Sequence, residues 1–167
     1  MGASTSFEIR PVLPAEYAPL GRLTVEAYRA LDGGGDLGAY AAELADVARR
    51  AAAADVFVAV DGATLLGGVT FVPGPDNPYA EELAPGEVGI RMLAVGPHAQ
   101  GRGIGRALSI ECVRRARAAG ATGVALHSTP WMTTAHRLYE SMGFVRAPGR
   151  DLRVSAELVL LSFVLAL

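Results

Sequence analysis

The sequence contains no lysine; all 15 of its basic residues are arginine. A phosphate loop of the Gly-Lys-Ser/Thr type is therefore excluded, and the chain offers no lysine side chain as an amine for modification. Abundant alanine beside absent lysine fits a GC-rich coding bias, so a bacterial source is expected. Cysteine is nearly missing too. Cys112 is the single thiol, which closes no internal disulfide and builds no cysteine cluster for a metal. It lies in the helical pattern RALSIECVRRARAAG and reads as a small core residue. Excess positive charge is also lacking. A net charge of −2 and a pI near 5.9 give no basic face for nucleic acid. Finally, there is no long apolar run. The N-terminal MGASTSFEIR has no signal core, and the C-terminal LVLLSFVLAL is 10 residues. A membrane span needs about 20. The expected protein is cytoplasmic, with no membrane partner and no metal.

What is present suits one globular domain spanning 1–167, with 51% apolar and 19% charged residues. FEIRPVL reads as a strand, and AEYAPLGRLTVEAYRAL as a helix with Leu20, Leu23, Ala27 and Leu31 on one face. An alanine-rich helix is expected through YAAELADVARRAAA. Asp61-Gly62 joins DVFVAV to ATLLGGVTFV as a hairpin. Residues 73–86 carry four prolines and form a loop that caps or lines something. EVGIRMLAV is a strand, IGRALSIECVRRARAAG a helix ended by Gly120, and GVALHS another strand. Thr133 or Thr134 is expected to cap a helix AHRLYESM, closed by Gly143, before the last strands. The order is that of an α+β, sandwich-like fold: a mixed, mostly antiparallel central sheet of about seven strands flanked by helices.

The segment HAQGRGIGRAL places glycines at 101, 103 and 105 where a helix begins. The dinucleotide fingerprint G-x-G-x-x-G fails, because its third glycine falls on Arg106 or Leu108. The physics of the loop remains. A helix N-terminus leaves four amides without partners and carries positive partial charge. Glycines let phosphate oxygens approach that backbone, and Arg102 and Arg106 add charge. A pyrophosphate ligand fits; so does a plain glycine-rich turn with solvated arginines.

Two motifs extend the pattern. Leu93-Ala94-Val95 precedes Gln100-Gly101-Arg102-Gly103-Ile104-Gly105, and Ala135-His136-Arg137-Leu138-Tyr139-Glu140-Ser141-Met142-Gly143-Phe144 follows one strand later. Together they resemble the signatures of the GNAT superfamily of acyl-CoA-dependent N-acetyltransferases, whose element order the chain also follows from Phe7 to Leu167. The resemblance implies that acetyl-CoA is the acyl donor. Residues 93–95 would pair with its pantetheine arm, and residues 100–106 would hold its pyrophosphate. One departure is Met132, where many members carry an asparagine.

Acetylating an amine requires that the amine be neutral. At pH 7 only about one part in a thousand of an alkylamine is neutral, a deficit of roughly 4 kcal/mol. A carboxylate near the acceptor would take that proton. Glu87 is the base candidate, sharing a strand face with positions 89 and 91; its other reading is an exposed residue at a strand entrance. Gly89 stands where family members often carry the glutamate. Tyr139 is similar to the family's general acid, whose phenol faces the CoA sulfur, although Ala135, Leu138 and Met142 share its apolar face. His127 is a third candidate, as base or substrate contact. His98 and His136 are expected to face solvent.

By the same resemblance the acceptor pocket is built from Tyr28, the Asp32–Asp36 loop, Tyr40, the 73–86 loop and Trp131. The expected function is N-acetyl transfer to a primary amine of a small molecule or a peptide N-terminus. The alternative is a non-catalytic acyl-CoA-binding module. The apolar C-terminal strand could pair with another copy as a homodimer.

Overall fold

The structure, a computed structural model, describes residues 6–31 and 36–167. Most of the expected Asp32–Asp36 loop therefore lies outside the described residues. The strands are β1 (Glu8–Pro11), β2 (Asp55–Asp61), β3 (Thr64–Val72), β4 (Glu87–Val95), β5 (Gly123–Ser128), β6 (Val145–Arg146), β7 (Leu152–Arg153) and β8 (Val159–Ala166). They form one eight-stranded sheet in the order β1-β2-β3-β4-β5-β8-β6, with β7 also pairing β8. Only β4 and β5 run parallel; every other pair is antiparallel.

Helices cover both faces of the sheet. On one side lie α1 (Tyr17–Arg29), α2 (Tyr40–Ala45) and α3 (Val47–Ala53), and on the other α4 (Ile104–Ala118) and α5 (Thr133–Ser141). Strand alternation feeds both layers. Phe57 and Ala59 of β2 pack with Leu108 and Cys112 of α4, whereas Val56, Val58 and Val60 pack with Leu20 and Leu23 of α1. Because both faces are covered, β2 is buried throughout its interior. Burying each large aliphatic side chain of α4 contributes about 1.5–3 kcal/mol, so packing rather than propensity holds that helix.

Several expectations are corrected in detail. The single alanine-rich helix is two helices, broken at Asp46, whose carboxylate accepts from the Arg49 amide and starts α3. Thr133 and Thr134 do not cap α5; they occupy its first positions, and Met132 stands at the cap without a side-chain bond. Strand β8 is an interior strand along much of its length, paired with β5 on one side and, over Val159–Leu160 and Phe163–Val164, with β7 and β6 on the other.

The feature that makes a site is the parting of β4 from β5. They pair only from Glu87–Gly123 to Gly89–Ala125. Further along, Met92 and Leu93 stand opposite the single residue Val69 of β3, between the pairs Thr70–Arg91 and Gly68–Ala94. This bulge puts Met92 at φ +52°. A left-handed residue with a Cβ costs about 1–2 kcal/mol, and such strain gathers at functional sites. Beyond the bulge β4 bends away, and its backbone faces an opening instead of β5.

Candidate active site

The glycine loop takes the form its composition demands. Gly101 and Gly103 have φ +78° and +77°, and an added Cβ at either would meet nothing within 4 Å. Gly103 is the N-cap of α4 and has no side chain to satisfy the first amides. Ile104, Gly105 and Arg106 therefore present free N–H groups at the positive end of a 15-residue helix. Ile104 is buried and anchors the turn, while Gln100, Gly101 and Gly103 are exposed. Arg102 pairs with Asp61 at 3.1 Å, and Arg106 donates to Ser141 Oγ at 3.0 Å. Each arginine is thus held at the rim of the loop by one neutral or half-exposed partner. Leu93, Ala94 and Val95 end β4 just upstream, beyond its contact with β5. Open amides, two rim cations and an unpaired strand edge are what an extended pyrophosphate ligand needs, so the residues present fit CoA.

Tyr139 projects from α5 into the core beside Phe144 and Phe163, with ring centroids 5.7 and 6.1 Å away. It is 5% exposed. Its hydroxyl has no partner among the described residues, yet it is not one of the sealed orphan atoms there, which are Arg50 Nε, Thr129 Oγ1 and Ser162 Oγ. The hydroxyl therefore keeps a small accessible surface rather than being sealed in the core. Burial raises the phenol pKa, so it is protonated throughout the neutral range.

Glu87 is far from free. Arg150 donates to its two oxygens at 2.9 and 2.7 Å, and the Ala84 amide donates at 3.0 Å. The guanidinium holds the carboxyl below its ordinary range. Leu83 and Val72 flank Gly89, standing 3.4 Å from where a Cβ would be.

The opening between β4 and β5 has a volume of about 10 Å³ and is lined by Gly89 and Arg91 of β4, Ala125 and His127 of β5, and Tyr79 and Glu81 from the 73–86 loop. That loop, read as a cap, is fastened down. Asn77 donates to Ala53 O at 2.7 Å, Arg91 binds Glu81, and Arg150 donates to Glu82 O at 3.0 Å. Burial is the largest single influence and opposes the charge of Arg91, but Glu81, Tyr40 and Glu43 together outweigh it, so its pKa is raised. Tyr28 and Tyr40 meet edge to face at 6.2 Å beside this pair, both phenols raised by burial. Trp131 is half-buried in the turn before α5. The sequence reading did not single out Arg91. Its signal was a charged residue at the interior of an apolar strand, on the same face as positions 87 and 89.

His98 is exposed as expected, but His136 is not. Its Nε2 lies 3.0 Å from Thr129 O and 3.1 Å from Ser128 Oγ, and its ring stacks on Phe163 at 5.0 Å. Burial lowers its pKa. Cys112 is fully buried and its thiol is pushed up to about 12, so it is inert. Among the described residues no cluster of three or more potential ligands could hold a metal, and no helix is long and apolar enough to cross a membrane.

A mixed sheet parted at its one parallel pair, with a glycine-capped helix opening beside the gap, defines an acyltransferase architecture. The chain belongs to the Acetyltransferase (GNAT) family, whose model matches residues 22–144. Solved structures agree in fold. A GCN5-related N-acetyltransferase from Kribbella flavida aligns with a TM-score of 0.75 at 22% identity, over 99% of this chain and 100% of that one. A GNAT family acetyltransferase from Brucella melitensis, in complex with acetyl-CoA, aligns with a TM-score of 0.61 at 25% identity, over 96% and 88%. The yncA protein of Salmonella typhimurium, solved with its cofactor acetyl-CoA, gives 0.68 at 20% identity, over 97% and 94%. Comparison with curated proteins gave no match.

Proposed function

We propose that this acetyltransferase moves the acetyl group of acetyl-CoA to a primary amine of a small molecule or a peptide N-terminus. The observation that carries the reading is the juxtaposition of the uncapped α4 N-terminus, the unpaired end of β4 and the unpartnered Tyr139 hydroxyl. The amides of 103–106, with Arg102 and Arg106, hold the pyrophosphate, flanked by Gln100 and Gly101. The backbone of Leu93, Ala94 and Val95 takes the pantetheine arm as an added strand partner. Bound there, acetyl-CoA supplies an activated thioester carbonyl.

Tyr139 serves the departing sulfur. A phenol raised above its usual value of about 10 does not give its proton outright to a thiolate of about 8.5. It hydrogen-bonds to the sulfur as negative charge develops, and passes its proton on only as the amine N–H replaces it. Glu87, with both oxygens bound, is a positioning residue. Its ion pair ties the start of β4 to the segment after β6.

The test is a panel of primary amines with acetyl-CoA, reading free thiol against a control without amine. Amine-dependent thiol release with a matching acetylated product supports the proposal. Thiol release at the control rate with every amine would refute it.

A further inference from the structure

We infer that His127 takes the proton of the acceptor amine, through water in the opening between β4 and β5, and that Arg150 and Glu87 fix its ring for the task. This rests on the amine-acetylation reading above. His127 lies two residues past Ala125, where β5 loses its pairing with β4. Val124 and Leu126 face the α4–α5 core, so by alternation His127 faces the other layer, where it lines the opening with Glu81 and Arg91. At about 10 Å³ that space is far smaller than the ~300–1,000 Å³ of ligand pockets, and has room for about one water between polar walls rather than for the body of a substrate.

The ring's tautomer follows from one contact. His127 Nε2 is 2.9 Å from Arg150 O. A carbonyl only accepts, so Nε2 carries the proton and donates it, leaving the Nδ1 lone pair without a partner among the described residues. Arg150 is itself fixed, its guanidinium held by Glu87 and by Glu82 O. Glu87 thus acts on His127 through Arg150.

The surrounding charges leave no better acceptor. Glu81 is paired with Arg91, Glu87 with Arg150, and Asp151, from the segment after β6, with Arg146 at 2.6 Å. Glu43 stands 3.8 Å from Arg91 on the outer side of that pair. Each of these carboxylates is committed to an arginine, whereas the His127 imidazole keeps an Nδ1 lone pair without a partner among the described residues.

The proton balance closes. The ammonium loses one proton through water to Nδ1. The neutral nitrogen then bonds to the acetyl carbon as the carbon–sulfur bond breaks, and its second proton reaches sulfur by way of Tyr139. The imidazolium releases its proton to solvent, so each turnover frees one proton.

The test pairs kinetics with NMR of the protein without ligand. His127→Gln should lower kcat/KM by about 10²-fold or more at pH 7, with the deficit shrinking as pH rises toward the pKa of the amine. Imidazole nitrogen shifts should show His127 as the Nε2–H tautomer, and Glu87→Gln should mix the tautomers and displace the acid limb of the pH profile. A purely structural Glu87 would leave both unmoved. Nδ1–H as the resident tautomer would overturn the inference, whatever the variants do to folding. So would a His127→Gln protein as active as wild type at every pH while wild type turns over. No amine-dependent turnover in wild type would overturn the functional reading together with this inference.

Discussion

Glu87 and Arg150 stand 63 residues apart in sequence and meet through two charge-assisted hydrogen bonds of 2.9 and 2.7 Å. Side-chain exposures of 11% and 31% leave the pair only partly screened. Its contribution to stability is about 1–2 kcal/mol, and its pH dependence has a definite sign. The carboxyl is lowered in the folded protein. The stabilisation is therefore complete above the unfolded value of about 4.3 and fades as pH falls through the folded value. Urea unfolding should show Glu87→Gln less stable than wild type at pH 7, with the difference closing below about pH 4. A constant difference down to that pH would contradict the ion-pair account.

Gly103 is predicted to be the most sensitive position for cofactor. Its left-handed backbone disfavours any side chain, and Gly103→Glu would also set negative charge at the open amides of α4. Acetyl-CoA should raise the Tm of wild type, since a ligand bound only by the native state stabilises it. In a folded Gly103→Glu protein that rise should vanish. A preserved shift would move the pyrophosphate site away from this loop.

His136 gives a second pH signature. Its pKa is lowered by burial, so the folded protein resists protonating it and stability falls as pH drops through the unfolded value of about 6.5. Replacing it with glutamine should flatten the stability profile between about pH 7 and pH 5. Denaturant midpoints across that range test this, and an unchanged slope would place the titration elsewhere.

Local features of this chain were legible in its sequence because their causes are local. Gly101 and Gly103 announce left-handed turns, Asp61-Gly62 announces a hairpin, and the unbroken apolar run of β2 fits a strand buried on two faces. Asp46 was harder to read. Within an alanine-rich helix it passes for a surface residue, and only its cap bond to Arg49 reveals the break. The long-range pairings could not be read. Nothing in PGEVGIRMLAV says that Glu87 will find Arg150, that Arg91 will find Glu81, or that Met92 will open the strand. His136 was misjudged for the same reason, since Ser128 and Phe163 reach it only once β5 and β8 lie side by side.

The lysine-free composition yields a clean control. Prolonged incubation with excess acetyl-CoA should add no acetyl group to any side-chain amine of the protein, leaving its N-terminal amine as the one conventional amine target of its own. Intact-mass spectra with several acetyl additions would mean that hydroxyl, imidazole or thiol groups are being acylated, and simple amine transfer would need revision.

The most direct test of the account is the rate of amine-dependent thiol release at saturating acetyl-CoA, wild type beside Tyr139→Phe. The substitution keeps the ring that packs on Phe144 and Phe163 and removes only a hydroxyl that has no protein partner. Stability and acetyl-CoA affinity should change little, while kcat should fall by about 10²–10⁴. Equal rates for the two proteins would contradict the proposal that Tyr139 stabilises the departing sulfur, and no amine-dependent rate in wild type would contradict acetyl transfer itself.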